Sequence, residues 1–130
     1  MYVNYVKKSN EFARTAEASL VAGDFDAAVS SAIHAALTMA DALSVFYLSQ
    51  RSAERDHDLA DELLARLPLE RSERNQNLRH LEALLQVKSA AEYEERLMTE
   101  SAARTAVQHE TRFRRWAQSK LPEAVSQPRE

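Results

Sequence analysis

Apolar positions in this chain recur at alternating steps of three and four, the pattern of helices that bury one face. The longest run lies between Gly23 and Tyr47. Phe25, Ala28, Val29, Ala32, Ile33, Ala36, Met39, Ala40, Leu43, Phe46 and Tyr47 fall there on one broad face. A stripe this wide needs cover on more than one side, so the helix is expected at the centre of a bundle. Before it, Tyr2 to Ala22 reads as a helix with Tyr5, Phe12, Ala13, Ala16 and Leu20 inward. Gly23 tolerates the left-handed conformation of a helix end, and the Asp24 side chain can accept from the amides of the next helix start. This is a tight corner, which makes the first two helices antiparallel neighbours. The second helix is expected to end between Tyr47 and Ser52.

The middle third is polar and interrupted. Leu59, Leu63, Leu64 and Leu67 form a short apolar set stopped by Pro68, and Leu78, Leu81, Leu84 and Leu85 resume the stripe after Ser72 or Asn75 as caps. Ser89-Ala-Ala-Glu92 matches a capping box, so the last long helix is expected from there to Leu121, with a slight break near Thr99 or Glu100. Its inward face holds Tyr93, Leu97, Met98, Ala102, Ala106, His109, Phe113, Trp116 and Ala117. The predicted fold class is therefore all-α, an antiparallel up-and-down bundle of four to five helices. It forms one domain over residues 1–122, with a flexible tail at 123–130.

Composition supports the class. One glycine and three prolines leave little material for hairpins, and 45% hydrophobic with 28% charged residues is a globular balance. No cysteine is present, which removes disulfides and thiolate metal sites. No apolar run approaches the ~20 residues that span a bilayer, and the N-terminus lacks a signal-peptide core. No membrane contact is expected, and a cytoplasmic location is. The net charge of −3 gives no global attraction to nucleic acid, so RNA binding would need a local patch.

Candidate chemistry comes from arginine followed by histidine: Arg74 with Asn75 and His80, Arg104 with His109, and Arg51 with His57. A neutral histidine can take the proton of a 2′-hydroxyl or protonate a leaving oxygen, while arginine holds the phosphate. Three matches cannot all be catalytic, and the third lies in an acidic run that repels phosphates. Arg112, Arg114 and Arg115 form a basic cluster fit for nucleic acid, whereas the interleaved Phe113 and Trp116 keep the inward spacing of core residues. His34 is read as a partly buried residue with one hydrogen-bond partner. His57 has Asp56, Asp58 and Asp61 nearby, a charge run read as a solvated helix start. No phosphate-binding glycine loop, nucleophile elbow or HExxH is present, and neither metal nor cofactor is expected.

The segment from Phe12 to Leu43 resembles the HEPN family (higher eukaryotes and prokaryotes nucleotide-binding), in its Gly-Asp corner and Ala-rich second helix. Lys88 to Tyr93 is similar to that family's entry to the last helix. The resemblance implies a helical bundle, often a homodimer, and a metal-independent endoribonuclease of a bacterial toxin–antitoxin or defence system. It equally implies the alternative, a non-catalytic binding or scaffold partner in a two-gene system, for example of a small nucleotidyltransferase. Arg74-Asn75 to His80 fits the family's motif with a polar residue after the arginine. Arg104 to His109 fits its place in the last helix.

Overall fold

The corner at the only glycine forms as its chemistry requires. In the computed structural model, which describes residues 2–49, 64–93 and 97–122, Gly23 has φ +84°. Its N–H donates to Leu20 O at 3.2 Å, and Asp24 N–H donates to Ser19 O at 2.9 Å. These two bonds satisfy the last carbonyls of a helix in the Schellman arrangement. The helices on either side are α1 (Tyr2–Ala22) and α2 (Phe25–Leu48). Asp24 caps α2 through its backbone, its carbonyl accepting from Ala28 at 2.9 Å, and not through its side chain as expected. No atom lies within 4 Å of a Cβ built on Gly23, so Gly23→Ala pays only for the left-handed backbone. It should lower stability by about 1 kcal/mol in urea denaturation.

Along α1 and α2, Tyr2 meets Phe46, Ser9 Oγ donates to Ala35 O at 2.7 Å, and Phe12 meets His34. One number rises as the other falls, so the pair is antiparallel. Two further helices follow, α3 (Arg71–Tyr93) and α4 (Glu100–Ser119). They too run antiparallel, because Glu73 reaches Trp116 while His80 reaches His109. Asp26 accepts from Met98 N and the Tyr47 hydroxyl donates to Lys120 O, which sets α4 parallel to α2. The four described helices thus alternate in direction, without a strand among the described residues.

Helix α2 packs against α1, α3 and α4, the central position that its wide stripe demanded. Ile33, Met39 and Leu43 from α2, Leu64 and Leu67 from the preceding segment, Leu81 and Leu84 from α3, and Phe113 from α4 are sealed in one core. The expectation that no apolar run nears bilayer length needs correcting. At 24 residues, α2 is long and apolar enough to cross a membrane by length and composition, and 67% of its apolar window is buried inside the bundle.

Helix starts differ from the sequence reading in two places. Neither Ser72 nor Asn75 caps α3; both lie within it. Glu70 does so instead, its carboxylate accepting from Ser72 N at 2.9 Å and Glu73 N at 2.7 Å. These amides, Glu73 first, hold the Glu70 carboxyl below the usual carboxylate range. The Ser89–Glu92 box starts nothing, because α3 runs through it. The last helix begins at Glu100, where Thr99 Oγ1 accepts from Ala102 N at 3.1 Å. Lys88–Tyr93 is accordingly the end of α3 and not the entry to the last helix. The inward faces also shift: Phe12 and Leu97 are exposed, while Val6, Ser9 and Glu110 are buried. Residues 50–63, with Arg51 and His57, and the tail at 123–130 lie outside the described residues.

Glu110 is 0% exposed, with Oε2 accepting from Arg114 Nε at 2.6 Å and Oε1 unpartnered. Burial pushes its carboxyl up, Arg114 opposes this, and Glu17 of α1 adds to it. A raised carboxyl contributes stability below its ordinary 4.5 that is lost as pH rises through the folded value. Arg114→Ala leaves that carboxyl without its cation. The variant should lose about 3–5 kcal/mol near neutral pH, and progressively less as the pH is lowered and the carboxyl is protonated, in paired urea titrations.

Candidate active site

The seam between α3 and α4 is built on a seven-residue register. Glu73 and His80 are two turns apart on one face of α3, and His109 and Trp116 are two turns apart on one face of α4. Antiparallel packing turns these into two rungs. In one, Trp116 Nε1 donates to Glu73 Oε1 at 2.7 Å, and Lys120 Nζ reaches the same oxygen at 2.5 Å. Lys120, then Trp116, lowers the Glu73 carboxyl. In the other, His80 Nδ1 and His109 Nδ1 stand 3.0 Å apart with ring centroids 5.2 Å apart. The clamped rung fixes the helix register, and the register delivers the histidine rung.

The two Arg–His patterns are therefore not rival sites. Their histidines meet across 29 residues of sequence, and their arginines go elsewhere. Arg104 is held by Glu100, through Nη2 at 2.7 Å and Nε at 2.9 Å. Arg74 Nη1 donates to Leu67 O at 3.1 Å, and its Nε donates to Asn75 Oδ1 at 3.4 Å. Neither arginine joins its own histidine, so neither pattern forms a site as spaced. The reason is angular. Steps of five and six residues on a helix place the two side chains on different faces, where three, four or seven would share one.

The arginine that does bear on the pair is Arg112, three residues after His109. Sequence reading placed it in a nucleic-acid cluster without linking it to the histidines; the i, i+3 spacing was the available signal. Arg112 and Arg115 are exposed, whereas Arg114 is committed to Glu110 and leaves the cluster. Burial lowers both histidines, followed by His109 and then Arg112 for His80, and by Arg112 for His109. A lowered histidine contributes stability that is present above its ordinary 6.5 and lost as pH falls through the folded value. Near neutral pH both rings are thus uncharged, fit to accept a proton and to hydrogen-bond.

His34 is not part of this site. It is exposed on α2, against Phe12 at a ring-centroid distance of 5.4 Å, rather than partly buried as expected. Together with Tyr5, Lys8, Asp41 and Lys88 it borders a separate cleft of about 420 Å³ between α1 and α2. No group of three or more metal-ligating side chains occurs among the described residues, and the cation of Arg112 adds positive charge beside the histidine pair.

No family model, curated protein or solved structure matches this chain.

Proposed function

We propose that this chain is a HEPN-like helical domain that binds RNA and cleaves it without metal, using His80, His109 and Arg112. The observation that carries the reading is the contact of two half-buried histidines, both lowered by burial, beside an exposed arginine on one helix seam. Cleavage beside a 2′-hydroxyl needs a base for that hydroxyl, an acid for the leaving oxygen and a cation for the phosphate. Those three roles match the three side chains. Arg115, one turn further along α4, extends the cationic strip that an RNA backbone would follow.

The test is incubation of the full chain with structured RNAs in EDTA, beside Arg112→Ala. The expected result is cleavage to 2′,3′-cyclic phosphate and 5′-hydroxyl ends, slowed about 10²-fold by the variant. Absence of cleavage across varied RNAs would overturn the nuclease reading.

A second reading has its own observation. Val21 is 88% exposed and Leu97 75% exposed, at the end of the bundle where α1 turns into α2. Exposed apolar side chains gathered at one end suit a protein partner or a second copy of the chain, as expected for the scaffold half of a two-gene system. Sedimentation of a monomer at high micromolar concentration would count against self-association.

A further inference from the structure

The contact between His80 and His109 joins like atoms, Nδ1 to Nδ1 at 3.0 Å. Two lone pairs at that distance repel, and two N–H groups collide, so an uncharged pair holds one hydrogen in the gap. The ring that donates it carries a lone pair on Nε2. The ring that accepts it carries its hydrogen on Nε2. The two remaining nitrogens are therefore chemical opposites, one a base and one an acid. Neither Nε2 hydrogen-bonds within the described protein. The buried side-chain nitrogens and oxygens without a partner, among the described residues, are Ser44 Oγ and Glu110 Oε1. Both rings are half-buried and keep part of their surface in solvent.

We propose that His80 and His109 form a neutral proton relay, locked in opposite tautomers, that passes a proton from an attacking hydroxyl to a leaving oxygen across the Nδ1–Nδ1 hydrogen bond. Its use on RNA rests on the function proposed above; the tautomer lock does not. The bare Nε2 takes the 2′-hydroxyl proton while O2′ bonds to phosphorus and the P–O5′ bond breaks. The other ring's Nε2–H goes to O5′, and the hydrogen in the gap crosses to that ring's Nδ1. Both rings end uncharged with their tautomers exchanged, and the products are a 2′,3′-cyclic phosphate and a 5′-hydroxyl. The exchanged pair is set for the next step. The former acid now takes a proton from water, whose oxygen bonds to phosphorus. The P–O2′ bond breaks, the former base protonates O2′ and the hydrogen in the gap crosses back to that ring's Nδ1, which restores the first arrangement and leaves a 3′-phosphate.

The charged surroundings fit a pair that works uncharged. Among the described residues, the charge that bears on both rings is that of Arg112 on α4, and His109 bears in addition on His80. A cation there disfavours an imidazolium and attracts the phosphate. Separate acid and base groups require one charged and one neutral histidine, which gives a bell-shaped pH profile. A relay requires both neutral, so its rate rises with pH and then stays level.

The deciding experiment is nitrogen-15 NMR of the full chain labelled at histidine, at about pH 7.5. The relay predicts one ring with its hydrogen on Nδ1 and the other on Nε2, or fast averaging between these two states. It also predicts that His80→Ala releases His109 to the tautomer of an isolated imidazole. Both rings in the same tautomer, or either ring charged at that pH, would overturn the proposal whatever the RNA assay shows. The companion readout is kcat/KM against pH on a cleaved RNA, where a level alkaline limb is expected and a falling one would overturn the relay. Opposite tautomers without RNA cleavage would uphold the proton arrangement and remove RNA as its substrate.

Discussion

Replacing either His80 or His109 by alanine should lower RNA cleavage by about 10²–10⁴-fold, the usual contribution of a positioned acid or base. The two losses should be similar, because each ring orients the other and neither can present its Nε2 alone. Arg74→Ala and Arg104→Ala should stay within about tenfold of the parent, since a remote positioning effect is all they can exert. Arg74 is engaged with the Leu67 carbonyl and Arg104 with Glu100, at a side-chain exposure of 62%. This contrast separates the seam from the sequence motifs. A nuclease that used an arginine and a histidine of one helix would lose activity with its own arginine. Initial rates on one RNA, with circular dichroism to verify folding, read out all four variants.

Phe113→Ala should destabilise the bundle by about 3–5 kcal/mol, the range for deleting a buried aromatic ring. Phe113 is 0% exposed and lies on α4, one turn after His109, in a core that draws on α1 to α4. Its ring centroid is 6.0 Å from that of Trp116, the other large aromatic of this helix. Neighbouring alanines cannot refill the space, because Ala103, Ala106 and Ala117 on α4 and the many alanines of α2 have no side chain to swing into it. The urea midpoint should fall steeply, and the fluorescence of Trp116, the single tryptophan, should report it. A loss below about 1 kcal/mol would mean that the core collapses around the cavity or that Phe113 is not sealed.

The sequence made the bundle legible where local chemistry and tertiary need agree. Gly23 ends α1 because only a residue without Cβ adopts its positive φ at no cost, and that requirement shows in one letter. Helix α2 was legible because its face is too wide for anything but a central place. The Ser89–Glu92 box misled because Ala90, Ala91 and Glu92 are also good helix-interior residues, so nothing there obliges α3 to stop. The helix starts again only after 97–99, where Thr99 is extended. Glu70 escaped notice as a cap because glutamate is usually sought at the third helical position and not before the first.

The site was half legible. His80 and His109 were both in view, but as alternatives, because spacing along one helix carries no information about contacts between two. The register that unites them is visible only when Glu73 to His80 and His109 to Trp116 are compared as matching seven-residue steps. Nothing in the sequence marks Glu110 and Arg114 as a buried pair, since an i, i+4 acid and base normally face solvent. Their burial comes from packing in the bundle, with Glu17 of α1 close enough to raise the Glu110 carboxyl.

The central claim is that two histidines 29 residues apart act as one unit. The most direct test is kcat/KM for His80→Ala, His109→Ala and the double variant on one RNA in EDTA. If the pair is a unit, the double variant will be no slower than either single variant, because the first substitution already removes the relay. Losses that multiply, or a loss confined to one of the two histidines, would contradict it.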